Sequence, residues 1–214
     1  MKKIFILSLF VCSVLCGCTP VQDMSLEEVI EKGTDRNVSV YNKYRKGYKY
    51  NVPKGLDVID NSEYNEILVS SNYTYYLYVD AVSYYNKVIE EYKTNEISHV
   101  SRQITYEDKY GYLEINELND NKYFIEIMYN YAKIEVIVKK EDINVTVANA
   151  MSVLTSIEFN DSVLKTVLDE ETSHFKEYEF NIFETATNNS EYMQAVDSDI
   201  YDEEDQIHDT DLIN

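Results

Sequence analysis

The stretch from Ser101 to Lys140, SRQITYEDKYGYLEINELNDNKYFIEIMYNYAKIEVIVKK, constrains the fold more than any other. Leu113 and Ile115 are interleaved with Glu114 and Asn116, and Ile134, Val136 and Val138 with Lys133, Glu135 and Ile137. A period of two places each set on one face of a strand. Polar breaks at Glu107-Asp108-Lys109, at Asn119-Asp120-Asn121 and around Asn130 cut the stretch into four. Four alternating runs joined by short turns predict a four-stranded antiparallel meander.

The flanking segments supply further elements. Ile143, Val147, Ala150, Met151 and Leu154 follow helical spacing after a candidate cap at Asp142, so an apolar stripe is set to lie on the sheet. The following SIEF reads as a short strand. Upstream, SLEEVIEK opens with a capping box of Ser25 and Glu28, predicting a helix over residues 26–32 that ends near Gly33. YKYNVPKGLDVID reads as strand, turn and strand around Lys54-Gly55, and EILVSSNYTYYLYVD as a hairpin around Ser71-Asn72. On the second arm Tyr73, Tyr75, Leu77 and Val79 share one face, while Thr74, Tyr76, Tyr78 and Asp80 share the other. Aromatic residues on both faces predict a sheet covered on both sides. Residues 81–93 keep helical spacing at Ala81, Tyr85, Val88 and Tyr92 and predict a helix.

The fold class is therefore α+β, an antiparallel sheet flanked by helices. The globular domain is placed at residues 38–160, behind a tether and short helix at 18–37. Residues 161–186 read as a C-terminal extension. It holds a helix capped by Asp161, with Val163, Leu164, Val167 and Leu168 on one face, and a strand in KEYEFNIF. Residues 187–214 carry nine acidic residues and no Lys or Arg and read as a disordered acidic tail.

At the other end, Lys2 and Lys3 precede an uncharged, largely apolar run, Ile4 to Leu15. That run is too short to span a bilayer, which takes about 20 residues, but suits the apolar core of a signal peptide. The LCGC that follows resembles the lipobox of bacterial lipoproteins, with Leu15, Cys16 and Gly17 before an acceptor Cys18. The resemblance implies removal of residues 1–17 and transfer of a diacylglyceryl group to Cys18. It also implies anchoring to the extracytoplasmic face of a bacterial cell membrane, the partner being the lipid bilayer. Cys12 and Cys16 then leave with the leader, and no thiol remains for catalysis or a disulfide. The three cysteines do not match zinc-ligand spacing. His99, His174 and His208 are far apart in sequence. No metal and no cofactor is expected.

The formal charge of −20 disfavours nucleic-acid binding, which needs a basic footprint, and no nucleic-acid partner is expected. Against it, Arg36 to Leu56 holds six cations and no acidic residue. Lys43, Arg45, Lys46 and Lys49 either meet anionic headgroups or a wall polymer near the anchor, or sit on a solvated strand and turn. Tyr76 and Tyr78 either offer a ligand face, as in sugar stacking, or simply pack. A calcium loop starting at Asp197 keeps Asp199 but fails at Tyr201, Asp202 and His208. No nucleophile elbow, phosphate loop or dinucleotide loop is present. Nothing sets Glu90, Glu114, Glu126 or Glu135 apart from solvated carboxylates, so no catalytic residue is assigned.

YKYNVPKGLDV resembles the opening strand of the PsbP-like sandwich, and AKIEVIVKKEDINVTVANAMSVLTSIEF its closing strand, helix and strand. The likeness covers roughly residues 48–160. It departs at Leu56, where members often carry a large aromatic. It implies an antiparallel sheet between helical layers and an accessory, assembly or binding role without catalytic residues. The expectation is a non-enzymatic lipoprotein of the cell envelope whose partner is an envelope protein or wall polymer. The alternatives are a ligand-binding module for a small solute or wall glycan on the tyrosine-rich face, and an envelope hydrolase.

Overall fold

The computed structural model describes residues 19–36, 40–62, 64–89 and 91–171. A 3₁₀ turn (Val21–Asp23) and helix α1 (Leu26–Thr34) come first. Strands β1 (Lys43–Arg45), β2 (Tyr48–Tyr50), β3 (Asp57–Ser62), β4 (Asn65–Val69) and β5 (Thr74–Val79) follow, then helix α2 (Ala81–Asn86). The predicted meander is β6 (Val100–Tyr106), β7 (Lys109–Glu117), β8 (Lys122–Tyr129) and β9 (Ala132–Lys139). A 3₁₀ turn (Lys140–Asp142), α3 (Ile143–Leu154), β10 (Glu158–Phe159) and α4 (Asp161–Glu171) complete the described chain.

The fold is α+β. Seven antiparallel strands lie in the order β3-β4-β5-β9-β8-β7-β6, and a small second sheet has the order β1-β2-β10. The meander's tight turns set its register. Asn130 and Tyr131, like Asp120 and Asn121, have positive φ, the geometry whose twist matches that of paired strands. One face of the large sheet, here called inner, carries Leu77, Leu113, Ile115, Ile125, Ile127, Ile134 and Val136, all buried. Burying each such side chain contributes about 1.5–3 kcal/mol. α3 lies on β8 and β9 and buries Val147, Ala150, Met151 and Leu154 in this core, as the helical stripe predicts.

α1 packs against α3. Its capping box forms as expected, with the Glu28 N–H donating to Ser25 Oγ at 3.2 Å and the Ser25 N–H to Glu28 Oε2 at 2.9 Å. Gly33 does not end this helix. A Cβ there would stand 2.8 Å from Met151 Cβ, so glycine is what lets α1 and α3 touch, and the helix runs on to Thr34.

Other expectations are corrected. Val21 and Met24, assigned to the tether and its junction, pack against the core, and Asn144 Nδ2 donates to the Met24 carbonyl at 2.7 Å. Residues 81–93 do not form one helix. α2 stops at Asn86 because Lys87 turns left-handed (φ 56°), and Tyr92 instead stacks on Tyr112 at 4.3 Å between centroids. Asp142 does not cap α3; its Oδ2 accepts from the Tyr73 hydroxyl at 2.5 Å. Asp161 is not the cap of α4; Asn160 Oδ1 accepts from the Val163 N–H at 3.1 Å. That helix belongs to the packed unit, since Leu164 and Leu168 bury against Ala81 of α2. The two strands expected around Lys54-Gly55 form, as β2 and β3, and join different sheets. The outer face of the large sheet is covered in part by a loop, described below, while α1 and α3 both pack on the inner face. The predicted signal peptide, Cys18, Glu90, KEYEFNIF and the acidic tail lie outside the described residues. Among the described residues no helix is long and apolar enough to cross a membrane.

Candidate functional site

Two clusters of buried charge stand out, one on each face of the large sheet. On the inner face, near the edge, β4 places Glu66 beneath the small sheet, where it is 1 % exposed. Its carboxylate receives Arg45 Nη2 at 2.5 Å, the Tyr48 hydroxyl at 2.9 Å and the Tyr50 hydroxyl at 2.5 Å. The alternation of β1 and β2 aims these three side chains the same way. The arrangement is a clamp. A carboxylate from the large sheet is saturated by donors from the small one, which satisfies the rule that buried charge must be paired. Burial and the neighbouring carboxylate both push the Tyr48 and Tyr50 hydroxyls well above the usual phenol range, so they stay protonated as donors.

On the outer face, cross-strand register aligns Glu114 with Glu126 and Glu126 with Glu135. All three are buried. Like charges directly opposite each other destabilise a sheet, so the row needs compensation. Lys133 reaches Glu135 at 2.8 Å and Glu126 at 3.6 Å. The Tyr112 hydroxyl donates to Glu126 at 2.7 Å. Burial pushes the Glu126 carboxyl above the ordinary glutamate value despite Lys133. Burial alone would lower Lys133, but Glu126 and Glu135 outweigh it and hold the ammonium charged. For Glu114, burial is outweighed by donors from Ser98, Asn116, Tyr92 and Asn95, and its carboxyl sits below the ordinary value. Most of those donors come from the loop after α2. Ser98 Oγ donates at 2.8 Å and the Tyr92 hydroxyl at 3.0 Å, which folds this loop over the β7 end of the row.

Sequence reasoning weighed Glu114, Glu126 and Glu135 and found nothing special in them; the fold brings these three together. Tyr76 stands opposite Glu135 and Tyr78 opposite Lys133, so the candidate ligand face adjoins the row. Both tyrosines are half-buried. The basic window divides. Arg45 is committed to Glu66, and Lys49 pairs with Glu158 at 2.9 Å. Lys46 is exposed and Lys43 half-buried. Glu66 and Lys133 were missed altogether.

A groove of about 480 Å³ lies elsewhere, at the C-terminal end of α3. Asp35, Arg36, Tyr41, Tyr106, Lys109 and Glu158 are among the residues that line it. There the Tyr41 hydroxyl donates to Glu158 at 2.5 Å, a bond that with burial pushes its pKa up to about 12. Among the described residues no group of three or more His, Cys, Asp or Glu side chains is placed to hold a metal ion. No protein-family model matches the chain, and no curated protein or solved structure matches it.

Proposed function

We propose that this chain is a lipid-anchored, extracytoplasmic accessory or binding protein of the bacterial cell envelope, without catalysis of its own. The observation that carries the reading is the LCGC stretch, which names Cys18 as the acylation site. The state of the buried carboxylates supports the second half of the proposal. Glu66 and Glu114 are each held by several internal donors, and Glu126 and Glu135 share Lys133. Internal pairing of this kind is what a structural role for these carboxylates requires. The PsbP-like resemblance of residues 48–160 points the same way. Crosslinking on intact membranes, followed by purification of the chain, tests the role. An envelope component enriched over a Cys18→Ser control is expected, and no such enrichment would sink the proposal.

A second reading keeps Tyr76 and Tyr78 as a ligand face for a wall glycan. It is favoured by two half-buried rings set beside the carboxylate row. Titration calorimetry with wall-derived oligosaccharide tests it: a binding heat that Tyr76→Ala abolishes is expected, and no heat with the wild-type chain would remove the reading.

A further inference from the structure

The candidate lipid-bearing residue stands three positions before Val21, and Val21 is already part of the core. Three residues reach at most about 10 Å. The 3₁₀ turn Val21–Asp23 packs against α3, and Met24 is held by Asn144 in its first turn. A lipid carried by Cys18 is therefore tethered within about 10 Å of the N-terminal end of α3. This end of the fold also carries the β4–β5 hairpin tip, since Tyr73 bonds to Asp142. It carries the β7–β8 turn as well, since Lys122 pairs with Lys139. Leu118 in that turn is 40 % exposed. Ile97, just before β6, is 94 % exposed, and its neighbour His99 lies 5.2 Å from the Tyr123 ring of β8. Lys122, Lys139 and Lys140 are exposed around them.

The basic window sits at the other pole. α1 runs alongside α3, from Met24 at Asn144 to Arg36, which donates to Ser152 Oγ at 2.6 Å. The chain then enters β1, and β2 pairs with β10 beyond the C-terminus of α3. A helix of 12 residues is about 18 Å long, farther than the attachment can reach. Exposed Val40, Tyr44 and Lys46, with the groove around Arg36 and Lys109, belong to this far pole.

We propose that the pole bearing Ile97, Leu118, Lys122, Lys139 and Lys140 is apposed to the bilayer, and that the basic hairpin and the groove face away from it. This rests on acylation of Cys18. Apolar side chains flanked by lysines suit a headgroup boundary. Glu117, Asp120 and Glu141 offset the lysines, and exposed Val40 and Tyr44 give the far pole apolar side chains too, so it is the short attachment that selects this pole. Proximity to the anchor in sequence, the motive for placing Lys43 and Lys46 on headgroups, does not survive as proximity in space.

The lipidated protein can be reconstituted in vesicles of phosphatidylglycerol and phosphatidylcholine. With Cys18 acylated, the mature chain has no other cysteine, so Asn119→Cys and Lys46→Cys give single labelling sites at the two poles. Quenching of a dye by spin-labelled lipid should be several-fold stronger at 119 than at 46, and should resist high salt. Equal quenching, or stronger quenching at 46, in protein that floats with the vesicles would overturn the orientation alone. Failure of the wild-type chain to float would remove acylation, and the orientation with it.

Discussion

The two faces of the seven-stranded sheet bury carboxylates by opposite means. On the inner face one carboxylate, Glu66, meets three donors. On the outer face two carboxylates, Glu126 and Glu135, share one ammonium. The first has a cation of its own and joins two sheets. The second sets one cation against two carboxylates, and burial raises the Glu126 carboxyl above its ordinary value. Buried charge can thus act as a rivet where a carboxylate has its own cation, or as a titratable seam where two carboxylates share one.

The largest expected effect lies at the rivet. Arg45→Ala leaves the buried Glu66 with two phenol donors and no cation, and should cost about 3–5 kcal/mol. A fall in the urea midpoint at constant slope would report it. A change below about 1 kcal/mol would erase the distinction between the faces.

Lys133→Met should cost less, about 2–3 kcal/mol at neutral pH, because Glu126 can take up a proton in place of the lost cation. That cost should shrink as the pH falls towards about 5. A cost that stays constant with pH would mean that the row does not titrate.

The smallest effects contrast two members of the row. Glu126 is raised above 4.5 when folded, so its ionisation opposes the fold at neutral pH, and the penalty fades as pH falls through the raised value towards 4.5. Glu114 is held below 4.5, so it contributes stability at neutral pH that is lost as pH falls through its lowered value. The stability of wild type relative to Glu126→Gln should therefore rise as pH is lowered to about 4.5. Relative to Glu114→Gln it should fall between about pH 5 and pH 3. Parallel curves from paired urea titrations would show the two sites to be alike.

Much of the sheet was readable in advance, because a period of two survives wherever one face is buried. The four meander strands and their turns follow directly from it, and the capping box at Ser25 is a local pattern with a local cause. The helix expected over residues 81–93 failed for a tertiary reason. Tyr92 gains more from stacking on Tyr112 and bonding to Glu114 than from a further helical turn. Gly33 read as a stop because its need comes from Met151, far away in sequence. Glu66 was invisible because its donors stand on two strands of another sheet. The outer row did leave a trace. Glu126 and Glu135 are equidistant from the Asn130-Tyr131 turn, which places them opposite each other once the turn is two residues long. Glu114 and Glu126 stand in the same relation to Asp120.

The proposed function rests on lipid at Cys18, and one measurement reaches it directly. Bacteria expressing the full chain can be fed labelled palmitate and the protein recovered from the membrane fraction. The account predicts label on the wild-type chain, on a mature form beginning at Cys18, and none on Cys18→Ser. Label retained by Cys18→Ser, or a wild-type chain without label, would contradict it.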